Sequence, residues 1–310
     1  MKIAFVFPGQ GSQSVGMLDS FGGDPVVDEV LREASAALGQ DLAGLIKDGP
    51  AEDLSLTVNT QPVMLTAGYA VYRSWRAAGG VAPVVVAGHS LGEYTALTAA
   101  GALSLTDAVK LVRIRAQAMQ EAVPVGQGGM AAILGLADDQ VRQACAEAGA
   151  GEVVEPVNFN APSQVVIAGH ASAVARACEV AKRLGAKRAI PLPVSAPFHS
   201  SLLRPASDRL RAALADVALR APTIPLVNNV DVAVETDPRR IVDALARQAA
   251  APVRWSETIQ KMAADGVTHV VECGPGRVLA GLTKRIAPSL ESVAIADAAG
   301  VEDALARLTA

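Results

Sequence analysis

The pentapeptide Gly88-His89-Ser90-Leu91-Gly92 fits the Gly-x-Ser-x-Gly pattern, in which a serine hydroxyl is presented as a nucleophile. Five residues of common types match often by chance, so the flanking residues decide. Residues 84–87 are Val-Val-Val-Ala, which reads as a buried strand, and residues 93–100 read as a helix. In a strand-turn-helix setting, small glycines permit a strained turn that lifts the hydroxyl clear of the sheet, at the positive end of the helix. That context favours a nucleophile at Ser90 over an ordinary tight turn.

A serine hydroxyl needs a nearby base, and histidine is the usual one because it titrates near neutrality. The chain has four histidines. His89 lies inside the pentapeptide, where its side chain points away from that of Ser90, and reads as a packing residue. His170 and His269 read as structural or surface residues. His199 remains, in the stretch Ser195-Ala196-Pro197-Phe198-His199-Ser200-Ser201, a loop leading into a helical pattern. No Asp or Glu stands out as the group that orients the imidazole, and a backbone carbonyl can do that work, so a Ser90-His199 dyad is expected.

Arg115 breaks its helix's pattern. At about 100° per residue, Lys110, Arg113, Gln117, Gln120 and Glu121 gather in one sector, whereas Arg115 falls among Leu111, Ala118 and Met119. A guanidinium on an apolar face needs an anion or a dense set of acceptors. Either a buried Asp or Glu pairs with it, or it holds a carboxylate-bearing substrate in the bidentate manner that suits Arg. The loop Phe7-Pro8-Gly9-Gln10-Gly11-Ser12-Gln13 follows an apolar run, but Ser14 stands where a dinucleotide-binding pattern needs glycine. The loop reads either as an ordinary strand-to-helix turn or as one that aims backbone N–H groups at an oxyanion, with Leu91 N–H and Gln10 N–H as the two donors.

The elements that must position these groups alternate. Apolar runs at residues 3–7, 84–87 and 269–273 are interleaved with amphipathic segments, including helices over 91–122, as in an α/β fold with a mainly parallel sheet. Between 126 and 195 the order differs: strand 130–134, helix 138–148, strands 153–158 and 165–168, helix 173–184, strand 187–193. That is the β-α-β-β-α-β order of a ferredoxin-like unit. It follows the breaker-rich stretch Pro124-Val125-Gly126-Gln127-Gly128-Gly129. The expected organisation is a core of residues 1–125 and 196–310 carrying an insert at 126–195. Alanine-rich stretches at 211–215 and 244–251 read as helix.

Composition narrows the function classes. A chain of 310 residues buries a sizeable core without staples. A net charge of −4 and 3% aromatic residues argue against nucleic-acid binding. Basic clusters at Lys182-Arg183, Lys187-Arg188, Arg209 with Arg211, and Lys284-Arg285 read as solvated faces that together could dock an acidic partner. Three cysteines with no metal-ligand spacing fit a reduced cytoplasmic setting, and no apolar run reaches the roughly 18 residues of a membrane span. No metal is expected.

Taken in order, Gly9-Gln10-Gly11-Ser12-Gln13, Gly88-His89-Ser90-Leu91-Gly92-Glu93-Tyr94, Arg115, Asn158-Phe159-Asn160, Phe198-His199, Ala251-Pro252-Val253-Arg254-Trp255 and Glu272-Cys273-Gly274-Pro275-Gly276 run nearly end to end. The chain resembles the malonyl-CoA:acyl carrier protein transacylases of bacterial fatty-acid synthesis. The resemblance implies a hydrolase-like core with a ferredoxin-like insert, and ping-pong transfer of malonyl from malonyl-CoA to acyl carrier protein through a malonyl-serine at Ser90. It implies His199 as base, Arg115 on the malonyl carboxylate, Gln10 in the oxyanion loop, and Gln248 as the residue whose carbonyl orients His199. No cofactor is implied, because the CoA thioester is a substrate. Ala249-Ala250-Ala251 departs from the larger or polar residues usual after that glutamine, which bears on local packing. A polyketide-pathway acyltransferase, a serine esterase or thioesterase, and an interaction protein that kept the fold remain as other readings.

Overall fold

Residues Ile3–Phe7 are buried at all five positions, the pattern of a strand covered on both faces. A computed structural model, which describes residues 1–194 and 196–308, places this strand, β1, near the centre of a six-stranded sheet. The other strands are β2 (Val85–Gly88), β3 (Gly128–Leu134), β4 (Val154–Ala161), β5 (Gln164–His170), β6 (Arg188–Pro191), β7 (Leu226–Val227), β8 (Val234–Glu235), β9 (His269–Cys273) and β10 (Glu291–Ile295). The large sheet runs β10-β9-β1-β2-β7-β8 and is parallel except for β8.

Alternation along β1 divides the core. Ile3, Phe5 and Phe7 join Val271 and Val293 against the helices Pro25–Leu38, Thr57–Ala77 and Leu105–Glu121. Ala4 and Val6 turn the other way, with Val270, against Trp255–Ala264 and Val278–Ile286. The result is a helix-sheet-helix sandwich of the α/β class.

A second sheet, β4-β5-β3-β6, is antiparallel and carries the helices Asp138–Ala148 and Ala171–Arg183 in ferredoxin-like order. Ala131, Ile133, Val165 and Ile167 face those helices, while Met130, Val157, Val166 and Ala168 face the main core. The backbone joins the two parts: Val253 N–H donates to the Val157 carbonyl at 2.8 Å, and Phe159 N–H to the Val253 carbonyl at 3.0 Å. Ser195, at the end of the expected insert, lies outside the described residues.

Several boundaries differ from the sequence reading. β4 continues through two register irregularities to Ala161. β7 and β8 are two residues each, too short to show a period, and β10 begins with the polar pair Glu291-Ser292. The alanine-rich stretch at 244–251 is not one helix, because Pro238–Gln248 stops at Gln248. Pro252 lies ahead and cannot continue the ladder, and the residue before a proline avoids helical dihedrals.

The turn after β2 depends on two glycines. A Cβ on Gly88 would sit 1.9 Å from the Gly92 carbonyl group, and one on Gly92 would sit 2.1 Å from the Phe7 carbonyl oxygen. β1, β2 and the helix Gly92–Ala99 therefore meet backbone to backbone. Gly88→Ala is expected to lose about 3 kcal/mol of stability or more, since neither neighbour is a side chain that can swing aside. Gly281→Ala, at a helical position with nothing within 4 Å of the added methyl, is expected to gain roughly 0.4–1 kcal/mol. Urea unfolding of both variants checks the contrast, and equal stabilities would remove the steric account.

Candidate active site

Ser90 sits at the apex of that turn with φ of 53°, a left-handed conformation unusual for a residue with a side chain. Asn229 holds it there. The Ser90 N–H donates to Asn229 Oδ1 at 2.7 Å, and Asn229 Nδ2 donates to the Gly88 carbonyl at 2.7 Å. One amide thus brackets the turn on both sides of Ser90. The hydroxyl opens into a cavity of about 150 Å³ lined by Gln10, Gln61, His89, Leu91, Arg115, Met119, Met130, Asn158, Leu192, Val194, Phe198 and His199.

His199 approaches from the opposite wall, also with positive φ (66°) and 3% exposed. Its Nδ1 lies 2.9 Å from the Gln248 carbonyl oxygen and its Nε2 lies 2.7 Å from Ser90 Oγ. A carbonyl only accepts, so Nδ1 carries the proton and Nε2 presents its lone pair to the serine hydroxyl. The Gln248 carbonyl can accept from His199 because it ends the helix Pro238–Gln248, where the last carbonyls lack partners within the helix; its other contact is a long one, from Ala251 N–H at 3.5 Å. Burial, and then the Arg115 charge, push the His199 pKa down to about 3, so the imidazole is a neutral base at physiological pH.

Arg115 is 1% exposed in the middle of Leu105–Glu121, as its place on the helix demanded. Its Nη1 donates to Gln61 Oε1 at 2.8 Å. Its Nη2 donates to Gln248 Oε1 at 2.9 Å and to Ser90 Oγ at 3.0 Å. The Tyr94 ring lies 5.4 Å beneath the guanidinium carbon. Among the described residues no carboxylate touches it directly; the nearest coupling to one is to Glu93, through the Gln248 amide. Behind Gln248 lies Glu93, also 1% exposed, which accepts from Gln248 Nε2 at 2.8 Å and from Asn229 N–H at 3.0 Å. Burial pushes its pKa up to about 7 against the lowering effect of those two bonds and of Arg115.

Leu91 N–H and Gln10 N–H border the same cavity and make no hydrogen bond among the described residues. Gly9 keeps the Gln10 loop against the turn, since a Cβ there would lie 2.7 Å from the His89 carbonyl oxygen. His89 is engaged elsewhere. Its Nε2 pairs with Asn160 Oδ1 at 2.8 Å and its ring packs 5.5 Å from that of Trp255. His170 accepts the Val153 N–H and His269 pairs with Thr268, so both have structural roles. Among the basic clusters, Lys182, Arg183, Arg209 and Arg211 are engaged by Glu179, Glu147, Glu121 and Asp243. The three cysteines are buried free thiols. Among the described residues no helix is long and apolar enough to cross a membrane.

A family model described as the acyl transferase domain matches residues 4–303. The chain belongs to this acyl transferase family. It is 55% identical over 305 residues to the malonyl CoA-acyl carrier protein transacylase of Escherichia coli (strain K12), covering 98% of this chain and 99% of that one. The crystal structure of an acyl-carrier-protein S-malonyltransferase from Burkholderia pseudomallei 1710b superposes with a TM-score of 0.98 at 67% identity, covering 99% of this chain and 100% of that one. A malonyl-transacylase in complex with its type II PKS acyl-carrier protein superposes at 0.97 and 48% identity, over 99% and 100% of the two chains.

Within this acyl transferase, Gln61, Glu93 and Asn229 support the site although the sequence assigns them no role. Gln61 and Glu93 lie inside buried runs at 60–68 and 92–98, where a long polar side chain needs a partner. Asn229 had none, because it reaches Ser90 across 139 residues of chain. The Ala249-Ala250-Ala251 departure packs without a gap in the hydrophobic layer: Ala249 is fully buried and Ala250 lies against the core. The neutral His199 is open to test. Its ring protons in an NMR titration should show no protonation shift between pH 8 and 5, whereas a midpoint near 6.5 would mean that burial and Arg115 do not act on it as described.

Proposed function

We propose that Ser90 carries the malonyl group in a two-step transfer from malonyl-CoA to the phosphopantetheine thiol of acyl carrier protein, in fatty-acid synthesis. The observation that carries this reading is the buried Arg115 guanidinium, 3.0 Å from Ser90 Oγ and in direct contact with no carboxylate among the described residues. A site built for neutral esters gains nothing from a desolvated cation beside the serine; an acyl group ending in a carboxylate supplies an anion in direct contact with it. Likeness to the transacylases of malonyl groups supports the same substrate.

In the first step His199 Nε2 takes the Ser90 proton, and Oγ attacks the thioester carbonyl. The oxygen that becomes negative is met by the N–H groups of Leu91 and Gln10, the former at the start of a helix. Collapse breaks the C–S bond, and the imidazolium returns its proton to the CoA thiolate. The carrier's thiol then gives its proton to His199 and attacks the malonyl-serine ester, regenerating Ser90. These steps need only side chains, two backbone N–H groups and the thiol and thioester of the substrates.

Selectivity and catalysis are linked through charge. Arg115 is one of the two main causes of the weak basicity of His199. A malonyl carboxylate at Arg115 offsets that charge and makes His199 a better base as the correct acyl group arrives. A neutral acyl group leaves the base weak. A cytoplasmic location and a ferredoxin-like insert spanning 126–195 belong to the same proposal, supported by the free thiols and by the second sheet.

Intact-protein mass spectrometry after exposure to malonyl-CoA should show an adduct of about 86 Da on the wild type and none on Ser90→Ala. An adduct that survives Ser90→Ala would mean another nucleophile. Arg115→Ala should lower the ratio of malonyl to acetyl transfer roughly 10- to 100-fold, the size of a charge-assisted hydrogen bond. Equal loss for both acyl groups would make Arg115 a support for the dyad alone.

A further inference from the structure

The guanidinium of Arg115 is out of water, and its compensating charge sits one amide away. Gln248 Oε1 accepts from Arg115 Nη2 at 2.9 Å, while Gln248 Nε2 donates to Glu93 Oε2 at 2.8 Å. The amide is polarised by both neighbours, oxygen toward the cation and NH2 toward the anion. A direct Arg-Glu pair would occupy the donors that a substrate carboxylate needs. With the amide as spacer, the shell is neutral in charge, and the Arg115 side facing Ser90 stays open to the cavity.

We propose that Glu93 is the standing counter-ion of Arg115, and that the malonyl carboxylate takes over this role on arrival, so that Glu93 takes up a proton from solvent as the malonyl-serine forms. The inference rests on the reading that the acyl carboxylate lies at Arg115. Three charges, one positive and two negative, cannot share a dry site without cost, and protonating one carboxylate restores neutrality. A proton on Oε1 leaves Oε2 as an acceptor for Gln248 and Asn229, so the turn that holds Ser90 is kept.

The groups facing Glu93 leave it as the one that responds. Arg115 faces it from Leu105–Glu121 and stays charged. Tyr94, beside it on its own helix, is pushed up to about 12 by burial and stays neutral. Asp231, in the turn after β7, is held low by two hydrogen bonds from Arg247 at 2.7 and 3.0 Å. Glu93 titrates at about 7 with Arg115 lowering it, and cancelling the Arg115 charge moves it further up. Between the two values the acyl-enzyme binds more protons than the free enzyme, so malonyl binding weakens as pH rises through that window.

Calorimetry of the full-length protein with malonyl-CoA at pH 7, in two buffers of different ionisation enthalpy, measures protons taken up per malonyl-serine counted by mass spectrometry. The thioester-to-ester exchange leaves the released thiol protonated at this pH. The expected uptake is roughly half a proton per site for the wild type and none for Glu93→Gln. Acetyl-CoA, which releases the same thiol but brings no carboxylate, should give none on the wild type; this arm holds even if Glu93→Gln folds poorly. The wild-type KM for malonyl-CoA should rise by up to about tenfold per unit above pH 7, with a flat profile in Glu93→Gln. Uptake that persists in Glu93→Gln, equal uptake with acetyl-CoA, or none in the wild type overturns the inference while the malonyl reading stands. Absence of a Ser90 adduct overturns both.

Discussion

A charged guanidinium held out of water beside a serine hydroxyl is the constraint around which the rest of the site is arranged. Removing such an ion from solvent costs on the order of several kcal/mol unless its donors are met. Gln61, Gln248 and Ser90 accept from the two terminal nitrogens of Arg115 and the face of Tyr94 lies beneath it, while its Nε is left without a hydrogen-bond partner among the described residues. Each partner comes from a different element, so folding the charge into place also fixes the relative positions of Thr57–Ala77, Gly92–Ala99, Leu105–Glu121 and Pro238–Gln248. Burial, and then the same charge, keep the histidine neutral, and a neutral histidine is the form able to accept a proton from serine.

Gln248 is used at all its polar ends, which is why its position matters more than its chemistry alone suggests. Its backbone carbonyl fixes the imidazole tautomer, its amide oxygen takes the arginine, and its NH2 group reaches both the Ser90 carbonyl and Glu93. The helix ends there because a proline follows, and the end of a helix leaves a carbonyl to spare. Two residues with side chains, Ser90 and His199, are held at positive φ on either side of this junction. That strain persists because Asn229 and Gln248 hold the two sides through hydrogen bonds buried from competing water.

Much of this was legible in the residues. The strand-glycine-serine-glycine-helix order announced the tight turn at Ser90, because only glycine permits the backbone contacts at positions 88 and 92. The helical wheel exposed Arg115 because period and polarity are local properties. The ferredoxin-like order of the second sheet was readable from the alternation of short apolar runs and amphipathic segments. What stayed hidden was pairing over distance: the pairing of β2 with β7, the Asn229 bracket, and the Arg115-Gln248-Glu93 chain all join residues far apart in sequence.

The sequence by itself determined the chemistry available: one serine on a turn that demands glycine, one histidine left after three were assigned elsewhere, and one arginine misplaced on an apolar face. Each follows from steric or periodic rules acting over a few residues. Only the tertiary structure decided the protonation states. Whether Nδ1 or Nε2 of His199 carries its proton, and which carboxylate answers Arg115 and at what remove, depends on burial and on the orientation of a single amide contributed by a distant helix. Desolvation and hydrogen-bond direction are properties of the packed interior, and no stretch of chain contains them.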